Sequence, residues 1–323
     1  MKYDLLGIGN GLIDCLGKTD DENIAKIGIE KGTMALIETE TSAKILDVIT
    51  DKEIASGGSV ANTMAGFSAL GGKSGFIGRL GNDDLGELFV KDMNTIGIDY
   101  LGKEKSTTPS GNCTIMVSPD GQRTMATCLG ASVEIGIDDI DLSLLSNAKV
   151  VYLEGYLFDA PSARSCFDII GETLKGTDTK IAFTLSDMFV VERHREDLLK
   201  FVQQSVDILF ANEDEINHLM GTNDVKDAIA KASEMADVVI GTCGENGAYA
   251  MTNGKTYFRP ANKVDVVDTT GAGDQFAGGF LFGYANTYGM EDCLQMGINM
   301  ASSVITHMGG RLTTDAKELI KGI

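Results

Sequence analysis

"VVDTTGAGDQFAGGF" spans residues 266–280 and combines an apolar run, a cluster of glycines and two aspartates. Residues 264–267, "VDVV", predict the end of a strand, and the pattern from Gly273 onward predicts a helix. Gly271, Ala272 and Gly273 then lie at the helix N-terminus, where free backbone N–H groups and the helix dipole attract an anion. Because larger side chains would hinder the close approach of a phosphoryl group, the stretch predicts a phosphate-binding turn.

Asp274 falls in the first turn of the predicted helix. One interpretation is that its carboxylate caps the helix and interacts favourably with the dipole. Beside an anion-binding turn, however, a negative charge is poorly placed unless it takes a proton from an attacking hydroxyl group. The second interpretation therefore makes Asp274 the general base of a phosphoryl transfer. Gly278 and Gly279, farther along the helix, are interpreted as sites of close helix packing.

The chain before this stretch alternates short apolar runs with segments of helical period. This alternation predicts an α/β fold, with a mostly parallel sheet covered by helices on both faces. In such sheets ligands bind outside the carboxyl ends of the strands, so the residues that follow the strands are candidate site residues. The runs interpreted as strands are "YDLLGIG", "KSGFIGRLG", "AKVVYLEGY", "KIAFTLS", "VDILFAN" and "DVVIGTCG".

Two regions break the alternation, at about residues 12–56 and 100–133. Both carry shorter strand patterns, and the second contains a hairpin signature with its turn at Pro119, Asp120 and Gly121. We interpret the two regions as a small β-sheet inserted into a single α/β domain that spans residues 1–323.

The composition indicates a globular protein with a sizeable core, because 43% of its 323 residues are hydrophobic and 23% are charged. The net charge is 27 − 47 = −20, which argues against nucleic acid or an anionic membrane as a partner. Six cysteines without a CxxC pair and only three histidines argue against a zinc site. Scattered thiols without an export signal predict a cytoplasmic protein, and no apolar run reaches the length of a membrane span.

Two glycine-rich segments match nucleotide motifs only in part. "GIGNGL" has glycines at positions 7, 9 and 11, but the dinucleotide fingerprint needs its third glycine where Leu12 stands. "GGKS" at 71–74 lacks the first glycine of a P-loop, which would fall at Phe67, and is interpreted as a helix end. A dehydrogenase is therefore not predicted.

"DTTGAGDQFAGGF" resembles the C-terminal signature of the ribokinase-like (PfkB) carbohydrate and nucleoside kinases. The resemblance extends along nearly the whole chain. "GNGLID" resembles the family's N-terminal substrate motif, "GGSVANT" its di-glycine segment and "GRLGNDDLG" a structural element. The resemblance implies that the acceptor contacts Asn10, Asp14, Gly57, Gly58 and Asn62, with the Asp14 carboxylate holding sugar hydroxyls.

Three further motifs resemble the family's nucleotide side. "ANEDE" matches the N-x-x-E motif, "TCGENG" the nucleotide loop and "GINMASSVITHMGG" a segment near the adenine pocket. The residues that the resemblance assigns are Asn212 and Glu215, linked to Mg²⁺ and phosphate through water; Thr242, Gly244 and Gly247 in the nucleotide loop; and Asn299 near adenine.

The resemblance implies a three-layer α/β/α body with a mostly parallel central sheet and a small β-sheet lid. It also implies transfer of the γ-phosphoryl group of ATP to a primary hydroxyl, with Mg²⁺ neutralising the phosphates. In this reading Asp274 is the base, and Gly271, Ala272 and Gly273 form the anion hole. Asp268 and Thr270 match the monovalent-cation site, usually for K⁺, of some members.

Several of these residues have simpler structural interpretations. Asp14 could cap a turn after a strand, and Gly57 and Gly58 could form an ordinary turn. Glu215 lies in an acidic helix start, where complementing the helix dipole is sufficient reason for its presence. Arg123, on the lid hairpin, is either a solvated charge or, as in adenosine kinases, an arginine that reaches the transferred phosphate.

The acceptor is less well defined than the reaction. "TLSDMFVVERHREDLLKFVQQSVDILFANEDE" and "VVYLEGYLFD" resemble the adenosine-kinase branch, which makes adenosine the leading substrate and AMP the product. Inosine, guanosine, ribose and fructose stay open, since each presents a CH₂OH group beside a ring with vicinal hydroxyls. A sugar- or nucleotide-binding protein without catalysis is the alternative of another class, against which the intact Asp274 argues. Monomer and homodimer are both compatible with the sequence.

Overall fold

The computed structural model describes residues 1–103, 105–120 and 122–323. The strands are β1 (Tyr3–Ile8), β2 (Leu12–Lys18), β3 (Met34–Leu36), β4 (Thr50–Gly57), β5 (Ser74–Ile77), β6 (Leu80–Gly81), β7 (Ile98–Tyr100), β8 (Lys105–Ser106), β9 (Gly111–Val117), β10 (Arg123–Cys128), β11 (Ala148–Glu154), β12 (Lys180–Thr184), β13 (Ile208–Asn212), β14 (Val238–Thr242), β15 (Ala248–Thr252) and β16 (Lys255–Arg259). The helices are α1 (Asp21–Ile27), α2 (Thr39–Val48), α3 (Ser59–Ala69), α4 (Asp84–Thr95), α5 (Leu142–Leu145), α6 (Pro161–Leu174), α7 (Met188–Ser205), α8 (Glu213–Met220), α9 (Val225–Ala232), α10 (Ala272–Ala285), α11 (Met290–Val304) and α12 (Ala316–Leu319).

The body is built on a nine-stranded sheet with the order β16-β15-β14-β13-β12-β11-β1-β5-β7. The strands from β14 to β7 pair in parallel, whereas β15 and β16 add an antiparallel edge. Strand β11 is buried at nearly every position because it lies between β1 and β12 and has helices on both faces. The expected α/β class is confirmed.

Neighbouring residues of the central strands point to opposite faces of this sheet. Phe183 of β12 packs with Phe167 and Phe201 from α6 and α7, whereas Phe210 of β13 packs against Phe280 of α10 on the other face. Each buried phenylalanine stabilises the fold by about 1.5–3 kcal/mol. These two cores, one on each face of the sheet, support the carboxyl ends of its strands.

The second sheet has five strands in the order β3-β10-β9-β2-β4 and is here called the lid. Strand β2 follows β1 after three residues, so the lid begins at the carboxyl edge of the body sheet. Strands β9 and β10 form an antiparallel pair in the predicted hairpin; Gly121 of the predicted turn lies outside the described residues. Residues 98–100 pair instead with the body strand β5, and residues 105–106 pair with β6.

Residues 264–267 are not a strand, which corrects the sequence interpretation. Val266 and Val267 are 59% and 56% exposed, and the last strand of the body sheet ends at Arg259. An apolar run becomes a strand only where a partner edge is available, and the local sequence does not show that. The sequence analysis also missed the hairpin of β15 and β16, whose Asn253 and Gly254 have the positive φ angles that an Asn-Gly turn predicts.

Among the described residues, no helix combines the length and apolar character needed to cross a membrane.

Candidate active site

A cavity of about 960 Å³ lies between the lid and the carboxyl edge of the body sheet. The final residues of four consecutive parallel strands line it: Glu154, Thr184, Asn212 and Thr242. The N-terminus of α10 closes one side. The cavity therefore occupies the position at which an open α/β sheet binds its ligands.

Gly271 and Gly273 have different physical roles at the start of α10. Gly271 has φ +76°, and a Cβ there would lie 2.5 Å from the backbone of Gly310, so the turn itself requires glycine. A Cβ at Gly273 would meet no protein atom within 4 Å. Gly273 thus leaves open space beside the helix N-terminus, as a phosphate-binding turn needs. Both residues and Ala272 line the cavity.

Asp274 lies in the first turn of α10 and faces the cavity. Its Oδ1 accepts a hydrogen bond of 2.6 Å from the Ser59 hydroxyl, and its Oδ2 accepts one of 3.3 Å from Asn62 Nδ2. Burial raises the pKa of Asp274 to about 6, although these two hydrogen bonds lower it. The carboxylate is therefore ionised at neutral pH, yet basic enough to accept a proton.

Asp14 projects into the cavity from β2, beside the di-glycine segment. A Cβ at Gly57 would collide with the Asp14 carboxylate, and Gly58, with φ +97°, approaches the carbonyl of Asn10. Burial raises the pKa of Asp14 to about 6; the Arg311 charge lowers it and the Asp274 charge raises it. Gly57 therefore serves to make room for this carboxylate, although Gly57 itself does not line the cavity.

Arg311 is a residue that sequence analysis missed. Its guanidinium donates a 2.8 Å hydrogen bond to Asp92 and a 3.4 Å hydrogen bond to Asn62 Oδ1. It thereby orients the amide that contacts Asp274 and places positive charge near Asp14. No local motif marks Arg311, because its partners lie more than 200 residues away in the chain.

Glu154 and Gln275 were also missed, and both tie backbone segments together. Glu154 is fully buried and accepts hydrogen bonds from the backbone N–H groups of Asn10 and Val60 at 2.8 and 3.0 Å. Burial raises its pKa to about 7. Gln275 donates to the carbonyls of Asn62 and Gly310, both at 3.0 Å. The sequence does contain a signal that could have identified Glu154, namely a carboxylate at the end of the apolar run "VVYLEG".

Asn212 and Glu215 form a reciprocal cap at the start of α8. The Asn212 side chain accepts from the Glu215 backbone N–H at 2.8 Å, and both Glu215 oxygens accept from Asn212 at 2.7 and 2.9 Å. Burial raises the pKa of Glu215 to about 7. Both residues line the cavity, as does Thr242.

The other residues assigned to the nucleotide side do not line the cavity. Asn299 hydrogen-bonds the carbonyl of Leu319 at 2.7 Å and also contacts Asn262 and Gln295. Gly247 has φ +105°, and a Cβ there would collide with the Arg259 carbonyl, so this glycine shapes the turn between β14 and β15. Gly244, with φ +52°, belongs to the same turn.

Arg123 joins the lid to the loop before α10. Its Nη1 donates a 2.8 Å hydrogen bond to Asp268 Oδ2, which also accepts from the Gly309 backbone at 2.8 Å. Asp268 Oδ1 accepts from the backbone N–H and hydroxyl of Thr270 at 3.1 and 2.8 Å. Both Asp268 oxygens are therefore engaged within the chain, and only Thr270 of this group lines the cavity.

Large apolar side chains also line the cavity. Met34 and Leu36 extend from the lid strand β3, Tyr156 extends from the turn that follows β11, and Phe189 extends from the first turn of α7. Leu36 is 62% exposed and Phe189 is 58% exposed. Large apolar side chains that are exposed on the wall of a cavity indicate an apolar ligand group.

Comparison with known proteins gives three kinds of match. The family model described as "pfkB family carbohydrate kinase" matches residues 21–317. Adenosine kinase 2 of Arabidopsis thaliana is 26% identical over 95% of each chain, and 2-dehydro-3-deoxygluconokinase of Thermoproteus tenax is 30% identical over 82% of this chain and 85% of its own. The crystal structure of adenosine kinase from Sinorhizobium meliloti covers 98% of both chains with a TM-score of 0.89 and 35% identity.

Proposed function

Since the chain belongs to the pfkB family of carbohydrate kinases and is a phosphotransferase with an alcohol acceptor, we propose that its acceptor is a purine nucleoside, with adenosine first. The wall of Met34, Leu36, Tyr156 and Phe189 carries this proposal. A free sugar offers hydroxyl groups to such a wall, whereas a purine base offers an apolar face that stacks on aromatic rings.

Asp274 is the proposed general base. It accepts the proton of the acceptor's primary hydroxyl as that oxygen attacks phosphorus, and the Ser59 hydrogen bond orients its carboxylate. Asp14, held by the space at Gly57, is the proposed acceptor for hydrogen bonds from the vicinal ring hydroxyls. Asn10, Gly58 and Asn62 complete the acceptor side of the site.

The N-terminus of α10 is the proposed anion hole. The N–H groups of Gly271 and Gly273 and the dipole of a 14-residue helix stabilise negative charge on the transferred phosphoryl group, whereas the Ala272 N–H already donates to the Thr269 carbonyl at 3.2 Å. The open space at Gly273 lets that group approach the backbone. Because phosphoryl transfer needs little covalent help from the protein, positioning at this turn is expected to supply much of the rate.

ATP as donor follows from membership of the kinase family, and its phosphates would lie along Asn212, Glu215 and Thr242. When bound, Mg²⁺ neutralises phosphate charge, and it characteristically keeps several of its waters. This fits Glu215, whose oxygens are already held by Asn212 and which can reach the ion through water. Among the described residues there is no cluster of three or more metal-ligating side chains, which is also compatible with water-mediated contact.

A monovalent cation at Asp268 and Thr270 is proposed only for a state in which the lid has moved. In the present arrangement Arg123 and Gly309 occupy one Asp268 oxygen, and Thr270 occupies the other. K⁺ would have to replace the Arg123 contact, and the arginine would then be free to reach the transferred phosphate.

A substrate panel tests the proposed function. The chain would be incubated with ATP and Mg²⁺, in K⁺ and separately in Na⁺, with adenosine, inosine, guanosine, ribose, fructose and 2-dehydro-3-deoxygluconate, and ADP release would be measured. We expect the largest kcat/KM for adenosine. A chain that phosphorylates a sugar but no nucleoside would contradict the proposal while leaving the kinase assignment intact.

The pH dependence of kcat/KM provides a second measurement. Burial raises the pKa of both Asp14 and Asp274 to about 6, so each carboxyl becomes protonated and inactive as the pH falls through that value. Because each charge also opposes ionisation of the other, the two groups titrate as a pair. We expect kcat/KM to fall below pH 6 with a logarithmic slope that exceeds one. An unchanged kcat/KM at pH 5 would exclude an ionised Asp274 as the base.

A further inference from the structure

Asp159 and Arg193 form a charged pair at the end of the apolar wall, and the proposed mechanism uses neither residue. Asp159 ends the turn that follows β11, and Arg193 lies in α7. Both line the same cavity as Asp274 and Asp14. The pair is therefore the polar boundary of the region in which a base would lie.

The pair has the geometry of a fixed recognition group. Arg193 Nε and Nη2 donate to the two Asp159 oxygens at 3.1 and 2.6 Å, and His194 Nε2 lies 2.7 Å from Asp159 Oδ1. Neighbouring residues of a regular helix point about 100° apart. Helix α7 departs from helical geometry at His194, with φ −125° and ψ 21°. As a result, the side chains of Arg193 and His194 both reach the Asp159 carboxylate.

The wall beside the pair is also held in place. Tyr156 donates its hydroxyl hydrogen to the Ser186 carbonyl at 3.2 Å, and the Ser186 hydroxyl accepts from the Gly155 N–H at 2.9 Å. Ser186 has φ +71°, a left-handed conformation that is strained for a non-glycine residue and that clusters at ligand sites. A Cβ at Gly155 would collide with the Leu185 carbonyl, so glycine allows the two loops to meet.

Both members of the pair retain capacity for a ligand. The Arg193 side chain is 50% exposed and that of Asp159 is 30% exposed. The two mutual bonds use two of the five N–H donors of the guanidinium, and a carboxylate has about four acceptor positions. Burial raises the pKa of Asp159, but hydrogen bonds from Arg193 and His194 outweigh this effect and hold the pKa below its usual range. This carboxylate is therefore an acceptor at neutral pH.

We propose that Asp159 and Arg193 recognise the polar edge of the purine base through hydrogen bonds. The Asp159 carboxylate accepts a hydrogen bond from the 6-amino group, and Arg193 donates to the ring nitrogen beside it. A 6-oxo purine would instead place a carbonyl oxygen against the carboxylate, and purine riboside would leave the carboxylate without its donor. The pair therefore selects adenosine over 6-oxo purine nucleosides and over purine riboside. This inference rests on the proposed nucleoside acceptor.

The test measures kcat/KM for adenosine, inosine, purine riboside, 1-deazaadenosine and 7-deazaadenosine with the wild-type chain and with Asp159→Asn and Arg193→Met. We expect the wild type to favour adenosine over purine riboside by about 10- to 100-fold, the value of one hydrogen bond to a charged group. Asp159→Asn is expected to remove most of that preference. Arg193→Met is expected to remove the preference over whichever deaza analogue lacks the recognised nitrogen.

Arg164→Met is the matched control. Arg164 contacts Asp197 at 3.4 Å and likewise links the α6 side of the fold to α7, but neither residue lines the cavity. We expect this variant to preserve the selectivity of the wild type. Arg193→Lys, which retains a donor and the charge, should restore part of the preference lost in Arg193→Met.

Two results would overturn the inference in distinguishable ways. If Asp159→Asn and Arg193→Met lower kcat/KM for adenosine and for every analogue by the same factor, the pair only supports the fold, and the nucleoside-kinase proposal survives. If the wild-type chain phosphorylates sugars but no purine nucleoside, both proposals are wrong.

Discussion

Asp274→Asn is expected to lower kcat about 10²- to 10⁴-fold, the range associated with removal of a positioned general base. The amide oxygen can still accept the Ser59 hydrogen bond, whereas the amide nitrogen would face Asn62 Nδ2, donor against donor. Only the longer contact, at 3.3 Å, is lost. Because the variant also removes a carboxylate whose ionisation burial opposes, we expect its thermal unfolding temperature to stay equal or to rise.

Three measurements distinguish loss of the base from loss of the site. Single-turnover transfer to adenosine reports the chemical step, equilibrium titration with ATP reports donor binding, and calorimetry reports stability. Slow transfer with unchanged ATP affinity and stability is the expected combination. Transfer at near wild-type rate would leave Asp274 with a structural role, in which its carboxylate links α10 to Ser59 and Asn62 of α3.

Gly273→Val is expected to lower kcat/KM for ATP by about 10²-fold or more, comparable to loss of one preorganised backbone donor. A side chain at this position enters the open space beside the helix N-terminus, which the phosphoryl group is proposed to occupy. Its Cβ meets no protein atom within 4 Å, and valine is a better helix residue than glycine by a few tenths of a kcal/mol. Activity should therefore fall while the unfolding temperature does not.

Gly271→Ala is the contrasting variant at the same turn. Its Cβ would press on the Gly310 backbone, and the residue must keep φ +76°. We expect a loss of about 1–3 kcal/mol in the free energy of unfolding together with lower activity. If Gly273→Val is destabilised to the same extent as Gly271→Ala, or if it remains active, the space at Gly273 does not hold the phosphoryl group.

The motifs predicted many of the residues that line the cavity, because the patterns that mark these residues are local. A glycine turn before a helix can be recognised from adjacent residues, and the structure places Gly271, Gly273 and Asp274 together at the start of α10. The capping pair of Asn212 and Glu215 is also visible at its spacing of three residues. The strand expected at residues 264–267 was wrong because strand formation depends on a partner edge elsewhere in the chain.

The sequence by itself determined the α/β alternation, the kinase family and the residues of the proposed anion-binding turn, since each depends on periodicity or on neighbours within a few positions. Only the tertiary structure decided that Arg311 supports Asn62 and Asp14, that Arg123 engages Asp268, and that Asn299 lies away from the cavity. It also brought the charged pair of Asp159 and Arg193 to the end of the apolar wall. The hydrogen bonds among these contacts join residues 34 to 249 positions apart, and their pairing is determined by the packing of strands and loops, which short-range sequence patterns do not encode.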